Sequence, residues 1–496
     1  MNQLKTGIIL NYVNLAISSL IPFLYTPIML SLLGQQEYGL YKLSGSITSY
    51  LSLISLGLGA AITRYLIKAR TESGIEEERK ILGLFIIIFN VIAIITILGG
   101  IILSININHW YDSALSVSDL SKMKILIFIL TCNMAINFLA TPYISIVNAH
   151  EKFIFLQSLN IFTTILGPIL NLVALYLGYA SIGLAISSLI ATILFRAIYY
   201  LYVKHNLHIT PLYDKSTFPL LKEILIFSFW VFISNIVGQL YGATDAILIG
   251  SIPTLATIGV AIYSIGDTFN SIIFTLNAGI SSLLIPKANK MVFNKASNDE
   301  ITDTAIRLGR IQCMIIALFV FGFIAFGQPF IHFYAGNEYK DAYWIAIICM
   351  IPNMIPLIQS FCLNILIAKN KNKFRAIVYL IIAILNVIGT WYLLKIWGII
   401  GAAIMTGTAL FLGQGITMNW FYHKKMNIDI LRFWKHIVTI LMPPMCMTLF
   451  TLYLYNYIDF FNIKNLVLGI GSYTFIYIII NWFFIMRPYE KKLIKI

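Results

Sequence analysis

Two carboxylates stand where carboxylates are costly. Asp245 and Asp267 lie well inside apolar runs of the chain, and an acid in such a run must be neutral, paired or wetted. That makes both candidates for coupling to an ion, with a helix-packing hydrogen bond as the plainer alternative. Asn235, Gln239 and Tyr241 make the run around Asp245 polar as well. A second polar stripe opens the chain at helical spacing, through Asn11, Asn14, Ser18 and Tyr25, with Pro22 inside it. Amides and hydroxyls facing lipid would lose hydrogen bonds, so both stripes are expected to line a cavity or bond to neighbouring helices. The cations that could serve an anionic ligand are Lys42 and Arg64, though either could snorkel to an interface. Arg196 sits unusually deep, with interior pairing and snorkelling both open.

Other chemistry has no material to work with. The sequence contains no GxxxxGK[ST] phosphate loop and no HExxH, and His150 has no ligand company. The five cysteines form no CxxC and read as small core residues. Every hydrophilic segment is short, the longest outer one being ININHWYDSALSVSDLSK. No catalytic residues, metal or cofactor are expected, and the chain reads as a transporter, not an enzyme.

The elements that position these residues follow from composition. Hydrophobic residues make up 59% and charged residues 11% of the chain, and mean hydropathy is +0.85. A soluble domain carries about 25% charged residues. Apolar runs of a length that crosses a bilayer recur from 8–31 and 39–66 through to 435–457 and 465–486. They define an all-α polytopic membrane protein of about fourteen transmembrane helices, the first run being a span, not a cleaved leader. The net charge of +14 is spread through loops on one side, among them Arg70, Arg79, Lys204, Lys287, Lys369 and Lys424. Little beyond Lys122, Lys124, Lys340 and Lys464 lies on the other side. This asymmetry places both termini in the cytoplasm and excludes a nucleic-acid partner.

The chain also repeats itself. After a shift of about 220 residues, Asn14 falls on Asn235, Gly39 on Gly259 and Gly59 on Gly279. VNAHEKF returns as IAKNKNKF, and PILNLVALYLGYASIGLA as AILNVIGTWYLLKIWGIIGAA. The expected plan is two six-helix lobes, 1–209 and 210–426, related by a pseudo-two-fold axis along the membrane normal. A functional cavity would lie between them, and two appended helices would follow in 427–496.

The opening KTGIILNYVNLAISSLIPFLYTPIMLSLLGQQEYGLYKL, the LSLISLGLGAAITRYL that follows and the segment TDAILIG resemble the oligosaccharide repeat-unit flippases. These belong to the multidrug/oligosaccharidyl-lipid/polysaccharide exporter superfamily, with its MATE-like fold. The resemblance implies alternating access and a polyprenyl-diphosphate-linked glycan as cargo, carried across a bacterial cytoplasmic membrane for surface polysaccharide assembly. It also implies a polysaccharide polymerase as a candidate partner, and a monomer is expected. Relatives in the superfamily often place basic residues in a central cleft, whereas spans one and seven here carry none. An ion-coupled multidrug exporter of the same fold is the alternative.

Overall fold

The computed structural model describes residues 3–494, and Met1 and Ile496, the two ends assigned to the cytoplasm, lie outside the described residues. Among the described residues every regular element is helical. The chain runs α1 (Gln3–Leu33), α2 (Gln35–Ser49), α3 (Gly59–Ser73), α4 (Ile75–Tyr111), α5 (Val117–Ala149), α6 (Phe153–Tyr176) and α7 (Ala180–His205). It continues through α8 (Leu220–Gly242), α9 (Thr244–Gly250), α10 (Ala256–Phe293), α11 (Asn298–Ala335), α12 (Ala342–Ile358) and α13 (Ser360–Ala368). It ends with α14 (Asn372–Leu410), α15 (Met418–Lys425), α16 (Ile430–Leu454), α17 (Ile463–Ile480) and α18 (Pro488–Ile494).

Eleven of these stretches are long and apolar enough to cross a membrane, or twelve if the bent pair α12 and α13 is one span. Fourteen were expected, and the difference has a local cause in each case. The second expected span is broken: α2 and α3 are joined by a tight turn over Tyr50–Ser55, with Leu56 at φ 50° and Gly57 at φ 71°. Gly57 also packs against α8, where an added Cβ would meet the Val231 side chain at 2.9 Å. Only glycine meets both demands cheaply. The stretch Asn372–Lys425, in contrast, holds two of the expected spans, parted at Gly398 where the backbone turns to φ 58°.

The helices are apolar on both faces, for two different reasons. Along α4, Phe85, Phe89, Ile92 and Ala93 are buried, while Ile94, Leu98, Ile102 and Ile105 are exposed one turn apart. A helix hydrophobic all round is what a bilayer demands, because its outer face meets hydrocarbon. The expected long outer loop is mostly helix: α4 runs to Tyr111 and α5 begins at Val117, which leaves five residues between them. Cys446 is exposed, against the expectation that all five cysteines are core, while Cys313, Cys349 and Cys362 are buried.

By packing, the chain forms two compact units, Met1–Ala261 and Ile262–Ile496. The first has its core where α3, α4, α5 and α7 meet, around Ile62, Leu66, Phe85, Phe89, Val147 and Phe195. It extends past residue 209 because α8 and α9 pack on α2 and α3. The segment just past residue 209, where the first lobe is expected to end, is tied to the same unit: Arg79 donates to the Thr210 carbonyl at 2.7 Å, and Leu212 N–H donates to the Arg79 carbonyl at 3.0 Å. In the second unit, Phe326, Phe460, Leu466 and Tyr473 join α11 to α17 and to the loop before it.

Candidate functional site

The polar stripe of α1 meets a polar stripe on α6. Thr164 donates to Asn14 Oδ1 at 3.4 Å, and the Tyr25 hydroxyl hydrogen-bonds Asn171. Asn171 in turn accepts from Ser187 on α7. Ser18 turns back onto the Leu15 carbonyl at 3.1 Å, and Asn11 is exposed. Pro22 and Pro27 are both carried within one continuous α1.

A ladder of amides and hydroxyls lies next to it. Asn133 and Asn137 stand one turn apart on α5, opposite Ser188, Thr192 and Arg196 at the same interval on α7. Asn133 donates to Ser188 at 3.2 Å, Thr192 donates to Asn133 at 3.1 Å, and Asn137 donates to Asn133 Oδ1 at 2.9 Å. Arg196 Nε closes the ladder by donating to Asn137 Oδ1 at 2.9 Å. Tyr41 reaches Ser188 from α2. Together α6 and α7 line a half-open cavity of about 220 Å³, bordered by Asn160, Thr163, Asn171, Ser188, Thr192, Arg196 and Tyr199 among others. Asn133 and Asn137 escaped the sequence reading, although two amides at i and i+4 in an apolar run were a legible signal.

The polar residues of α8 and α9 bond to the broken second span. Ser49 donates to Gln239 Oε1 at 2.9 Å, and Gln239 Nε2 donates to Ser52 at 3.2 Å. Tyr50 hydrogen-bonds Thr244, and Asp245, 1% exposed, is the next residue. Tyr241 is half-buried and Asn235 exposed. Lys42 lies 5.5 Å from the Tyr38 ring centre, and Arg64 is exposed on α3. In the other unit, Asn270 donates to Asp267 at 3.2 Å and accepts from Asn353 at 2.9 Å. Asp245 and Asp267 thus lie in different packing units of the chain.

Ion pairs mark the ends of the helices. Glu37, in the elbow after α1, pairs with Lys122 and accepts from Ser181. Burial works to raise its carboxyl pKa, but those two partners outweigh burial and hold it below the usual range. Glu78 is fully buried and faces Arg70 at 3.7 Å and His150 at 3.2 Å. By composition alone the string KARTESGIEEERK, which holds Glu78, reads as a solvated turn, and His150 reads as a loop histidine. Neither the charged string KARTESGIEEERK nor a lone histidine carried a periodic signal to suggest otherwise. Among the described residues no group of three His, Cys, Asp or Glu side chains is arranged to hold a metal.

Apolar helices that carry an internal seam of amides, hydroxyls and one guanidinium define a multi-pass membrane transporter fold. The family model described as "Polysaccharide biosynthesis protein" matches residues 4–292, and the chain belongs to that family. Among solved structures, the fold is similar to that of the lipid II flippase MurJ in an inward closed conformation. The TM-score is 0.71 at 17% identity, over 96% of this chain and 98% of that one. It is also similar to an inward-facing MATE multidrug resistance transporter of the MOP superfamily, at TM-score 0.65 and 16% identity, over 85% and 98%. A MATE transporter in complex with MaD3S gives 0.57 at 12% identity, over 86% and 96%. At these identities the likeness is one of fold. No curated protein matches the chain by sequence.

Proposed function

We propose that the protein flips a polyprenyl-diphosphate-linked oligosaccharide across the bacterial cytoplasmic membrane, by alternating access, for surface polysaccharide assembly. The observation that carries this reading is the polar seam inside α1, α5, α6 and α7, in a chain that belongs to a polysaccharide biosynthesis family. A glycan and a diphosphate cannot cross hydrocarbon unaided, because each unpaired polar group costs several kcal/mol, about 2–7 for a single amide or hydroxyl. A wet, hydrogen-bonding path removes that penalty, while the prenyl chain stays in lipid. In this reading Asn11, Asn14, Ser18, Tyr25, Asn235, Gln239 and Tyr241 border the path. Lys42 and Arg64 meet the diphosphate, and Asp245 and Asp267 couple transport to an ion. The two lobes at 1–209 and 210–426 derive from one duplicated unit, with 427–496 appended. The protein acts as a monomer without catalysis of its own, both termini are cytoplasmic, and the flipped unit passes to a polysaccharide polymerase.

The test is a flipping assay in proteoliposomes. A fluorescent polyprenyl-diphosphate oligosaccharide enclosed in the inner leaflet should become open to a membrane-impermeant quencher only when the protein is present. Equal exposure in protein-free vesicles would overturn the reading. The buried Asp245 and the MATE-like fold favour a second reading, an ion-coupled multidrug exporter, for which cationic dyes and not the glycan lipid would be moved.

A further inference from the structure

We infer that the cavity between α6 and α7 is an anion-binding pocket centred on Arg196. A guanidinium stays protonated in any protein environment, so Arg196 carries its charge wherever it lies. It stands nine residues before the end of α7 at His205, about 14 Å along the helix axis. Its side chain does not run to that end, because Nε is fixed to Asn137 on α5. Its guanidinium lies 5.8 Å from the Tyr199 ring centre, which offers a π-face but no negative charge.

The protein does not supply the opposite charge. Neither α1, α6 nor α7 contains a single Asp or Glu, and α5 has only Asp119. Asp119 is 18 residues from Asn137, about 27 Å along α5, and it is held by Gln36 and Ser116. Among the described residues no carboxylate pairs with Arg196. Of its five N–H donors one is used by Asn137, and Arg196 lines the cavity together with Asn160, Thr163 and Thr192. A fixed cation with no carboxylate partner, lining a half-open space of about 220 Å³ that mixes Asn160, Thr163 and Ser188 with Ala191 and Phe195, can take an anion. The ligand is a small inorganic anion or the phosphoryl oxygens of a cargo, and both answer to the same donors. The inference does not depend on the cargo proposed above, since inorganic anions alone test it.

The experiment measures thermal stability of the purified protein in lipid nanodiscs at constant ionic strength, with gluconate replaced by chloride or by pyrophosphate. The wild type should gain stability in a saturable manner with at least one of the two. Arg196→Gln should lose that gain, with apparent affinity down about tenfold or more. Arg196→Lys should keep part of it and so show that the variant site is intact. Lys395→Gln, which removes a cation lying over Trp391 in the other unit, should respond as the wild type does. Saturation by chloride alone marks a counter-ion site. Pyrophosphate competing with chloride marks a phosphoryl site. No saturable gain in the wild type, or the same gain in Arg196→Gln, would overturn the inference.

Discussion

Gln239 on α8 accepts from Ser49 at 2.9 Å and donates to Ser52 at 3.2 Å, so one amide fastens two turns of the broken second span. Tyr50 and Thr244 hydrogen-bond beside it. Here two apolar segments meet through polar atoms, in a chain where lipid can satisfy none of them.

Gln239→Leu should therefore cost about 1–3 kcal/mol, from two lost hydrogen bonds of about 0.5–1.5 kcal/mol each. Transport should fall while the amount of protein in the membrane holds. Denaturant melts of the variant and wild type check the first expectation, and the flipping assay the second. Unaltered transport would mean that the contact only joins helices.

Asp267→Asn keeps an acceptor for Asn270 but removes the ionisable proton, and Asp245→Asn does the same at a position 1% exposed. If either acid couples an ion, its amide variant should transport at a small fraction of the wild-type rate. The loss should be greatest under an imposed ion gradient. Wild-type rates in both variants would retire the acids as coupling groups.

Glu37 gives a pH signature. Its carboxyl is held below the ordinary value of 4.5, where burial is outweighed by Lys122 and Ser181. A depressed folded-state pKa means that the stabilisation is fully present above about 4.5 and is lost as pH falls below it. The melting temperature of Glu37→Gln should thus lie below wild type by a constant amount between pH 7 and about 5. The gap should close in more acid buffer. A gap that widens in acid would contradict the pairing.

Glu490 on α18 meets Arg310 of α11 at 2.6 Å, with the two side chains 2% and 3% exposed. Arg310 also donates to the Ile485 carbonyl at 2.8 Å. Removing one member of such a pair leaves a buried charge alone and costs about 3–5 kcal/mol. Glu490→Gln should lower the melting temperature sharply. Joint replacement of Arg310 and Glu490 by Met and Leu should recover much of the loss. Equal damage from single and double variants would show that packing, not charge, is at stake.

The sequence was explicit about some of this. Apolar runs and sparse charge define a helical membrane protein, and the recurrence of Asn14 at Asn235 is the ground for proposing two related halves. They also single out the stripes of α1 and α8, because periodicity is a local property and a bilayer punishes every departure from it. Gln239 and Tyr25 both find partners on neighbouring helices, as a polar stripe in lipid requires. Asn11 and Asn235, read from the same stripes, are exposed, since helical spacing gives a face but not what that face meets.

Only the tertiary structure decided the rest. Glu78 lies in a string of charges that reads as solvated, yet it is fully buried against Arg70 and His150. Arg70 belongs to the same string, but His150 comes from the turn after α5, 72 residues away, and no window of sequence brings it to Glu78. Arg196 reads the same on paper whether it pairs, snorkels or waits for a ligand. Asn137, from 59 residues away, fixes its Nε, and the one acid of α5, Asp119, is held by Gln36 and Ser116 instead. Long-range contact sets the energy of a buried charge, and long-range contact is what a linear pattern does not hold.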